Sequence, residues 1–256
     1  MTTSLFDLKG KTAIVTGGGS GLGRDIAKVF AEYGANVAIC SRKLENCRDT
    51  ATEIENEYGV KTMAYECDVS QEEHVKRIVE SVIADFGQID ILVNNSGATW
   101  GEKVEDMPLA AWNKVFDVNV TGTFLMSREV GRNMISNGSG KIINIGSVAG
   151  IKAESGEVLN AIGYSSSKAA VHHFTRDLAK KWAEHGINVN AIAPGFFETK
   201  MTRGVLEKSG DKIRNNNPMK RLGDPDSLKG IALFLASNAS SFITGQIIAV
   251  DGGSSL

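Results

Sequence analysis

KTAIVTGGGSGLG, residues 11–23, joins a short β-branched apolar run to a glycine-rich turn. Apolar residues at helical spacing follow at Ile26, Ala27, Val29 and Phe30, so the order predicts a strand, a turn and a helix. Glycines let a backbone turn tightly against a pyrophosphate, and the free amides at a helix N-terminus face its negative charge. We therefore predict a dinucleotide site here, with contacts from Gly17, Ser20, Gly21, Leu22 and Gly23.

Further apolar strands alternate with helical patterns along the rest of the chain. They are predicted over residues 36–40, 61–67, 89–97, 141–147, 187–193 and 246–250. This alternation predicts an α/β fold, a Rossmann-type doubly wound parallel sheet of about seven strands with helices on both faces. Ligands of such sheets bind beyond the carboxyl ends of the strands, so polar residues at those ends are candidate site residues.

Composition limits the classes of protein to consider. The 256 residues are 42% hydrophobic and 23% charged, contain only 4 prolines, and show no repeat or low-complexity tract that would separate two halves. We expect one domain over residues 1–256. The formal net charge of -2 offers no general attraction for nucleic acid or an anionic membrane, so neither is expected as a partner.

The three cysteines, Cys40, Cys47 and Cys67, fit neither a zinc site nor a disulfide framework. Small buried thiols suit a reducing compartment. The first residues lack a basic segment followed by an apolar one, and no later window holds about 18 consecutive apolar residues. We expect a cytoplasmic protein without a bound metal.

The second predicted strand ends at Ser41 and Arg42, where an NAD-selective site usually carries an acidic side chain for the ribose hydroxyls. A guanidinium here can pair with the 2′-phosphate of NADP, and a serine hydroxyl can bind that phosphate without repelling it. Alternatively, Arg42 is a solvated residue at the start of the next helix. We expect NADP(H) as the cofactor.

Tyr164 and Lys168 are four residues apart in a helical pattern, so they project from the same side of one helix. A tyrosine hydroxyl titrates near 10, and a nearby ammonium lowers that pKa, which makes the pair a candidate acid/base. The alternative is an ordinary amphipathic helix with an exposed tyrosine and an extended lysine. Asn119, within the apolar periodic stretch 109–134, is a polar side chain that needs partners.

In order and spacing, several motifs resemble the short-chain dehydrogenase/reductase family over essentially the whole chain. They are residues 16–23, Asn94-Asn95-Ser96-Gly97, Asn119, Ser147, Tyr164-xxx-Lys168 and Pro194-Gly195. The resemblance implies an oxidoreductase that interconverts a carbonyl and a secondary alcohol by hydride transfer with NADP(H).

The same resemblance implies a role for each of four residues. Tyr164 is the acid/base on the substrate oxygen, and Lys168 lowers its pKa and holds the nicotinamide ribose. Ser147 orients the carbonyl, and Asn119 anchors a proton-relay water. Further implied cofactor contacts are Asp68, Val69, Asn95, Gly97, Pro194, Gly195 and Thr199, although Asp68 has a turn-forming role as its alternative.

Within the family, the chain is similar to bacterial 3-oxoacyl reductases and gluconate 5-dehydrogenase-like enzymes. This favours a small 3-oxoacyl compound or a sugar acid as substrate, and a homotetramer. Ser139 and His185 stand where carrier-protein reductases commonly place arginines, which argues against docking of an acyl carrier protein. The adjacent His172 and His173 point apart on a helix and are assigned no role.

Two questions stay open at this level. Fold and cofactor site alone do not establish catalysis, so a non-catalytic NADP-sensing regulator is the competing class. The segment 198–217, a predicted lid, is rich in positive charge, which indicates either an anionic substrate or a solvated helix face. Its cations are Lys200, Arg203, Lys208, Lys212 and Arg214.

Overall fold

The computed structural model describes residues 5–256. These residues contain a seven-stranded parallel sheet in the order β3-β2-β1-β4-β5-β6-β7. Its strands are β1 (Thr12–Thr16), β2 (Asn36–Ser41), β3 (Thr62–Glu66), β4 (Ile91–Asn94), β5 (Gly140–Ile145), β6 (Ile187–Pro194) and β7 (Ile247–Val250). The predicted Rossmann-type, doubly wound parallel sheet is confirmed.

Eight α-helices connect and flank these strands within residues 5–256. They are α1 (Gly21–Glu32), α2 (Leu44–Tyr58), α3 (Glu72–Phe86), α4 (Leu109–Phe116), α5 (Gly122–Asn137), α6 (Ile162–Trp182), α7 (Arg203–Asn216) and α8 (Asp226–Ala236). None of the helices in this part of the chain combines the length and the apolar character that crossing a membrane requires.

Both faces of the sheet are covered, which explains the consecutive apolar residues in central strands such as β1 and β4. In β1, Ala13 and Val15 pack on one face beneath α1, α2 and α8, whereas Ile14 packs on the other beneath α3, α5 and α6. Side chains alternate between the faces of a strand, so burial on both sides requires apolar residues at consecutive positions. The two cores cover the faces of the sheet, so a ligand site is expected beyond the carboxyl ends of the strands.

The long periodic stretch 109–134 does not form one regular α-helix. A π-helical turn, Asp117–Thr121, separates α4 from α5. Such turns insert an extra residue into a helix and are frequent at functional sites. Here the turn holds Asn119, which is buried.

Candidate active site

A cavity of about 600 Å³ opens beyond the carboxyl ends of the neighbouring strands β1 and β4, at the switch point of the sheet. It extends from the glycine turn after β1 to Ser147, which follows β5, and to Tyr164 and Lys168 on α6. Its size and position suit a dinucleotide. Of the candidates predicted from the sequence, those that line it are Gly17, Ser20, Gly21, Leu22, Ser41, Arg42, Asp68, Val69, Asn95, Gly97, Ser147, Tyr164, Lys168, Pro194, Gly195 and Thr199.

The glycine turn places the N-terminus of α1 at the cavity. Gly17 and Gly21 have φ values of +66° and +55°, in the left-handed region that favours glycine. Ser20 precedes the helix, its side chain makes no capping hydrogen bond, and the first turn contains no acidic residue. Free helix amides and an unused hydroxyl therefore face the cavity, a donor set that fits a phosphate group.

Gly23 was predicted to contact the cofactor, but it does not line the cavity. A Cβ atom on Gly23 would lie 2.3 Å from Nδ2 of Asn95 and 2.7 Å from the carbonyl oxygen of Gly17. Its hydrogen therefore lets α1 approach the turn and the end of β4. The contribution of Gly23 to a cofactor site is one of packing.

Asn95 ties the glycine turn to β4. Its backbone N–H donates to Oγ1 of Thr16 at 2.9 Å, and its side-chain amide donates to the carbonyl oxygens of Thr16 at 2.9 Å and Gly17 at 3.3 Å. The N–H of Ser96 also donates to Oγ1 of Thr16 at 2.9 Å. Asn95 thus reaches the cavity and also fixes the shape of the turn.

The charge of the cavity lining is strongly positive. Asp68 is the single carboxylate among the described lining residues, whereas five cationic side chains lie there: Arg42, Lys43, Lys114, Lys168 and Lys200. The Asp68 carboxylate accepts from the N–H and hydroxyl of Ser70 at 3.1 and 2.7 Å, as its turn-forming alternative requires. Such a lining favours an anionic ligand with several phosphates. Sequence reasoning missed Lys43 and Lys114, although Lys43 directly follows Arg42.

Ser147 lies two residues after the end of β5 and caps a short 3₁₀ turn, Val148–Gly150. Its Oγ accepts from the N–H of Ala149 at 3.2 Å. Because this bond uses an oxygen lone pair, the hydroxyl proton stays available to a second acceptor. Ser147 and Tyr164 also line an adjoining pocket of about 80 Å³, whose other walls are mostly apolar. That pocket contains one carboxylate, Glu154, which is paired with Lys152 at 3.2 Å.

Tyr164 and Lys168 lie one turn apart near the start of α6, as predicted. Nζ of Lys168 is 5.6 Å from the centre of the Tyr164 ring and donates to the carbonyl oxygen of Ile145 at 2.7 Å. Burial raises the pKa of Tyr164, and a hydrogen bond with Ser147 opposes this shift. Burial also lowers the pKa of Lys168 to about 8.

The expected lowering of the Tyr164 pKa by Lys168 is therefore not what this structure displays. Lys168 is close, but the desolvation of the phenol outweighs other influences on its pKa. The Lys168 ammonium is itself destabilised by burial and is directed to a backbone carbonyl. At neutral pH the Tyr164 side chain is then a phenol, the form that can donate a proton.

Asn119 lies behind the cavity and does not line it. Its Oδ1 accepts from the N–H of Ala98 at 2.7 Å, and its Nδ2 donates to the carbonyl of Ala98 at 2.9 Å and to Oγ of Ser167 at 2.8 Å. Its side chain therefore has the partners that burial demands. These hydrogen bonds of Asn119 connect Ala98, in the segment after β4, to Ser167 on α6, beside Lys168.

Pro194, Gly195 and Thr199 form the wall opposite the glycine turn. Pro194 ends β6, and the N–H of Gly195 donates to the carbonyl of Val250 at 3.0 Å. A Cβ atom on Gly21 would lie 3.9 Å from Cγ2 of Thr199, so the loop after β6 approaches the glycine turn. The loop and the glycine turn thus face each other across the cavity.

Comparison with known proteins identifies the family. A family model described as Enoyl-(Acyl carrier protein) reductase matches residues 17–255. The chain belongs to the short-chain dehydrogenase/reductase family. It is therefore related to oxidoreductases over nearly its whole length.

Three relatives illustrate the range of this similarity. The 3-oxoacyl-[acyl-carrier-protein] reductase of Aquifex aeolicus is 40% identical over 246 residues, which cover 96% of this chain and 98% of that protein. The 2-dehydro-3-deoxy-D-gluconate 5-dehydrogenase of Bacillus subtilis is 41% identical over 250 residues, or 97% and 96% of the two chains. A crystal structure of a gluconate 5-dehydrogenase from Burkholderia cenocepacia, in complex with NADP and tartrate, superposes with a TM-score of 0.92, 36% identity, and coverage of 98% and 97%.

Proposed function

We propose that this short-chain dehydrogenase/reductase is an NADP(H)-dependent enzyme that interconverts a carbonyl and a secondary alcohol, with Tyr164 as acid/base. The observation that carries this proposal is that the glycine turn, Ser147, Tyr164 and Lys168 border one cavity. A donor set for phosphate therefore lies at one end and a proton donor at the other. A regulator that only senses NADP would need the first but not the second.

The proposed chemistry assigns a step to each side chain. When bound, NADP(H) supplies or accepts the hydride. In the reductive direction the Ser147 hydroxyl donates a hydrogen bond to the carbonyl oxygen, and Tyr164 gives its proton to the same oxygen. Lys168 would hold the nicotinamide ribose of the bound cofactor, and its positive charge favours the phenolate that the proton transfer leaves. Asn119 keeps the segment after β4 aligned with α6, and the relay water at Asn119 remains a prediction.

NADP is proposed over NAD because of charge at the end of β2. Arg42 and Lys43 line the cavity there, and within residues 5–256 no carboxylate lies within ion-pairing distance of Arg42. A guanidinium without a carboxylate partner is available to a 2′-phosphate. The Burkholderia relative with bound NADP is consistent with this choice.

The proposed substrate is a small 3-oxoacyl compound or a sugar acid, the classes named for the relatives. The cationic side chains of the predicted lid, residues 198–217, differ in how far they can favour an anionic substrate. Lys200 lines the cavity, whereas Lys212 pairs with Glu157 at 2.5 Å and Arg214 pairs with Asp211 at 3.3 Å. A preference for anionic substrates would therefore depend mainly on Lys200. Comparing Lys200→Gln with Lys208→Gln, on acids and on their neutral esters, tests this point.

The decisive experiment follows NADPH consumption with a panel of 3-oxoacyl thioesters, free 3-oxoacids and keto sugar acids. Tyr164→Phe should lower kcat by about 100-fold or more, while the Kd for NADPH changes by less than about threefold. Tyr58→Phe is the matched control, because Tyr58 lies on α2 and its hydroxyl bonds Glu57. NADPH binding without turnover of any carbonyl would favour the sensing class and refute catalysis.

We further propose a cytoplasmic homotetramer. The three cysteines are free and buried. Phe242 and Leu256 are fully exposed although large and apolar, which suits burial between subunits. Light scattering should give four times the chain mass of 27.4 kDa, and a monomeric mass would contradict the assembly.

A further inference from the structure

His172 lies directly behind the catalytic end of the cavity. It follows Lys168 by one turn of α6 and is only 4% exposed. Its Nε2 accepts a hydrogen bond from the backbone N–H of Ser147 at 3.4 Å. The residue proposed to orient the carbonyl is thus held from behind by a side chain that does not itself line the cavity.

Two glycines make this contact possible. A Cβ atom on Gly146 would lie 2.2 Å from Nε2 of His172, and one on Gly150 would lie 3.0 Å from its Cε1. The segment 146–150 therefore packs around the imidazole from both sides. Any larger residue at position 146 would displace either the ring or the end of β5.

The protonation state of His172 follows from its surroundings. Because Nε2 accepts from Ser147, the neutral ring carries its proton on Nδ1. Burial lowers the pKa of His172 to about 4, the charges of Lys168 and Arg176 act in the same direction, and a hydrogen bond with the backbone of Gly150 opposes them. The ring is thus neutral, and Nε2 is an acceptor, throughout the neutral pH range.

We propose that His172 is a positioning residue that sets the orientation of Ser147 toward the substrate carbonyl. Two bonds then fix Ser147: its N–H is held by His172, and its Oγ is held by the N–H of Ala149. Small misplacements of a hydrogen-bond donor toward a reacting oxygen have large effects on rate. The inference rests on the proposed function, since it needs Ser147 to act on a carbonyl.

The first test compares two replacements of His172. His172→Leu keeps the bulk and removes the acceptor, whereas His172→Gln offers an amide oxygen near the position of Nε2. We expect His172→Leu to lower kcat by about tenfold or more, with the Kd for NADPH unchanged, and His172→Gln to stay within about threefold of wild type. His173→Gln is the matched control, because His173 is the exposed neighbour on the same helix. Wild-type kcat in His172→Leu would overturn the assignment.

A double-mutant cycle separates positioning from general support of the fold. If His172 acts through Ser147, His172→Leu should cost almost nothing further in a Ser147→Ala background. An equal loss in both backgrounds would mean that His172 only stabilises the structure, and would overturn the proposal. Should the leucine variant not fold, His172→Asn replaces it, because its shorter amide reaches the position of Nδ1 but not that of Nε2. Equal kcat in the Asn and Gln variants would then refute positioning through Nε2.

Failure of the proposed function has a different signature. A wild-type protein that turned over no carbonyl would refute that function, and the His172 contact would then be judged by nitrogen NMR of labelled histidine. A resonance from the Nδ1–H tautomer with unprotonated Nε2 supports the contact, whereas an Nε2–H tautomer overturns it.

Discussion

Replacing Gly23 by alanine should destabilise the protein and weaken cofactor binding together. The added Cβ would lie 2.3 Å from Nδ2 of Asn95 and 2.7 Å from the carbonyl of Gly17. Neither neighbouring atom can move away freely. The Gly17 oxygen belongs to the backbone of the turn, and Asn95 forms hydrogen bonds of 2.9 Å with Thr16. Overpacking of this kind costs about 1–3 kcal/mol, and loss of the Asn95 amide bond adds about 1 kcal/mol.

We therefore expect the free energy of unfolding to fall by about 2–4 kcal/mol. The Kd for NADPH should rise by about tenfold or more. A tenfold rise corresponds to a loss of only about 1.4 kcal/mol of binding free energy, which we expect from a distorted turn. Urea denaturation and a fluorescence titration with NADPH measure the two quantities.

The matched control is Gly230→Ala, in the middle of α8. A Cβ atom on Gly230 meets no atom within 4 Å, so the same substitution should stabilise the protein by about 0.5–1 kcal/mol through helix propensity. NADPH binding should be unaffected. If Gly23→Ala kept the stability and NADPH affinity of the wild type, the packing role assigned to Gly23 would be wrong.

Three further predictions concern charge. Arg42→Asp should lower the ratio of kcat/KM for NADP to kcat/KM for NAD by about 100-fold. Arg48→Asp, on the exposed side of α2, is the control and should leave this ratio unchanged. If Arg42→Asp kept the wild-type ratio in kinetic assays, the 2′-phosphate contact would lie elsewhere. Burial lowers the pKa of Lys168 from 10.5 to about 8, so below that pH the folded protein bears a cost that vanishes as pH rises toward 10.5. Lys168→Met should therefore raise the free energy of unfolding of the cofactor-free protein by about 3 kcal/mol at about pH 7, and by less near pH 10. A gain in urea titrations that does not change with pH would disprove this cause. The buried Asp90 carboxylate accepts three hydrogen bonds near the amino-terminal ends of the strands. Asp90→Ala should therefore lower the free energy of unfolding by about 3 kcal/mol, measured by thermal or urea unfolding. A loss below about 1 kcal/mol would contradict this prediction.

The sequence alone was sufficient to predict the features that depend on residues close together along the chain. The run 11–23 specified the first strand, the glycine turn and α1, because β-branched residues, left-handed backbone and helical periodicity are local properties. Consecutive apolar residues in strands such as β1 and β4 likewise predicted a sheet buried on both faces. The i, i+4 spacing of Tyr164 and Lys168 placed both on one side of α6.

Features that depend on distant residues were decided only by the tertiary structure. Asn119 was recognisable as a buried amide, but its partner Ser167 is 48 residues away, and the π-helical turn that holds it interrupts a pattern that reads as one helix. Lys114 reaches the cavity because α4 packs against α6, a contact that no local signal encodes. His172 gains its meaning from Ser147, 25 residues earlier on another element. Residue spacing reports the face of a helix on which a side chain lies, whereas the groups it meets there depend on how the separate elements pack.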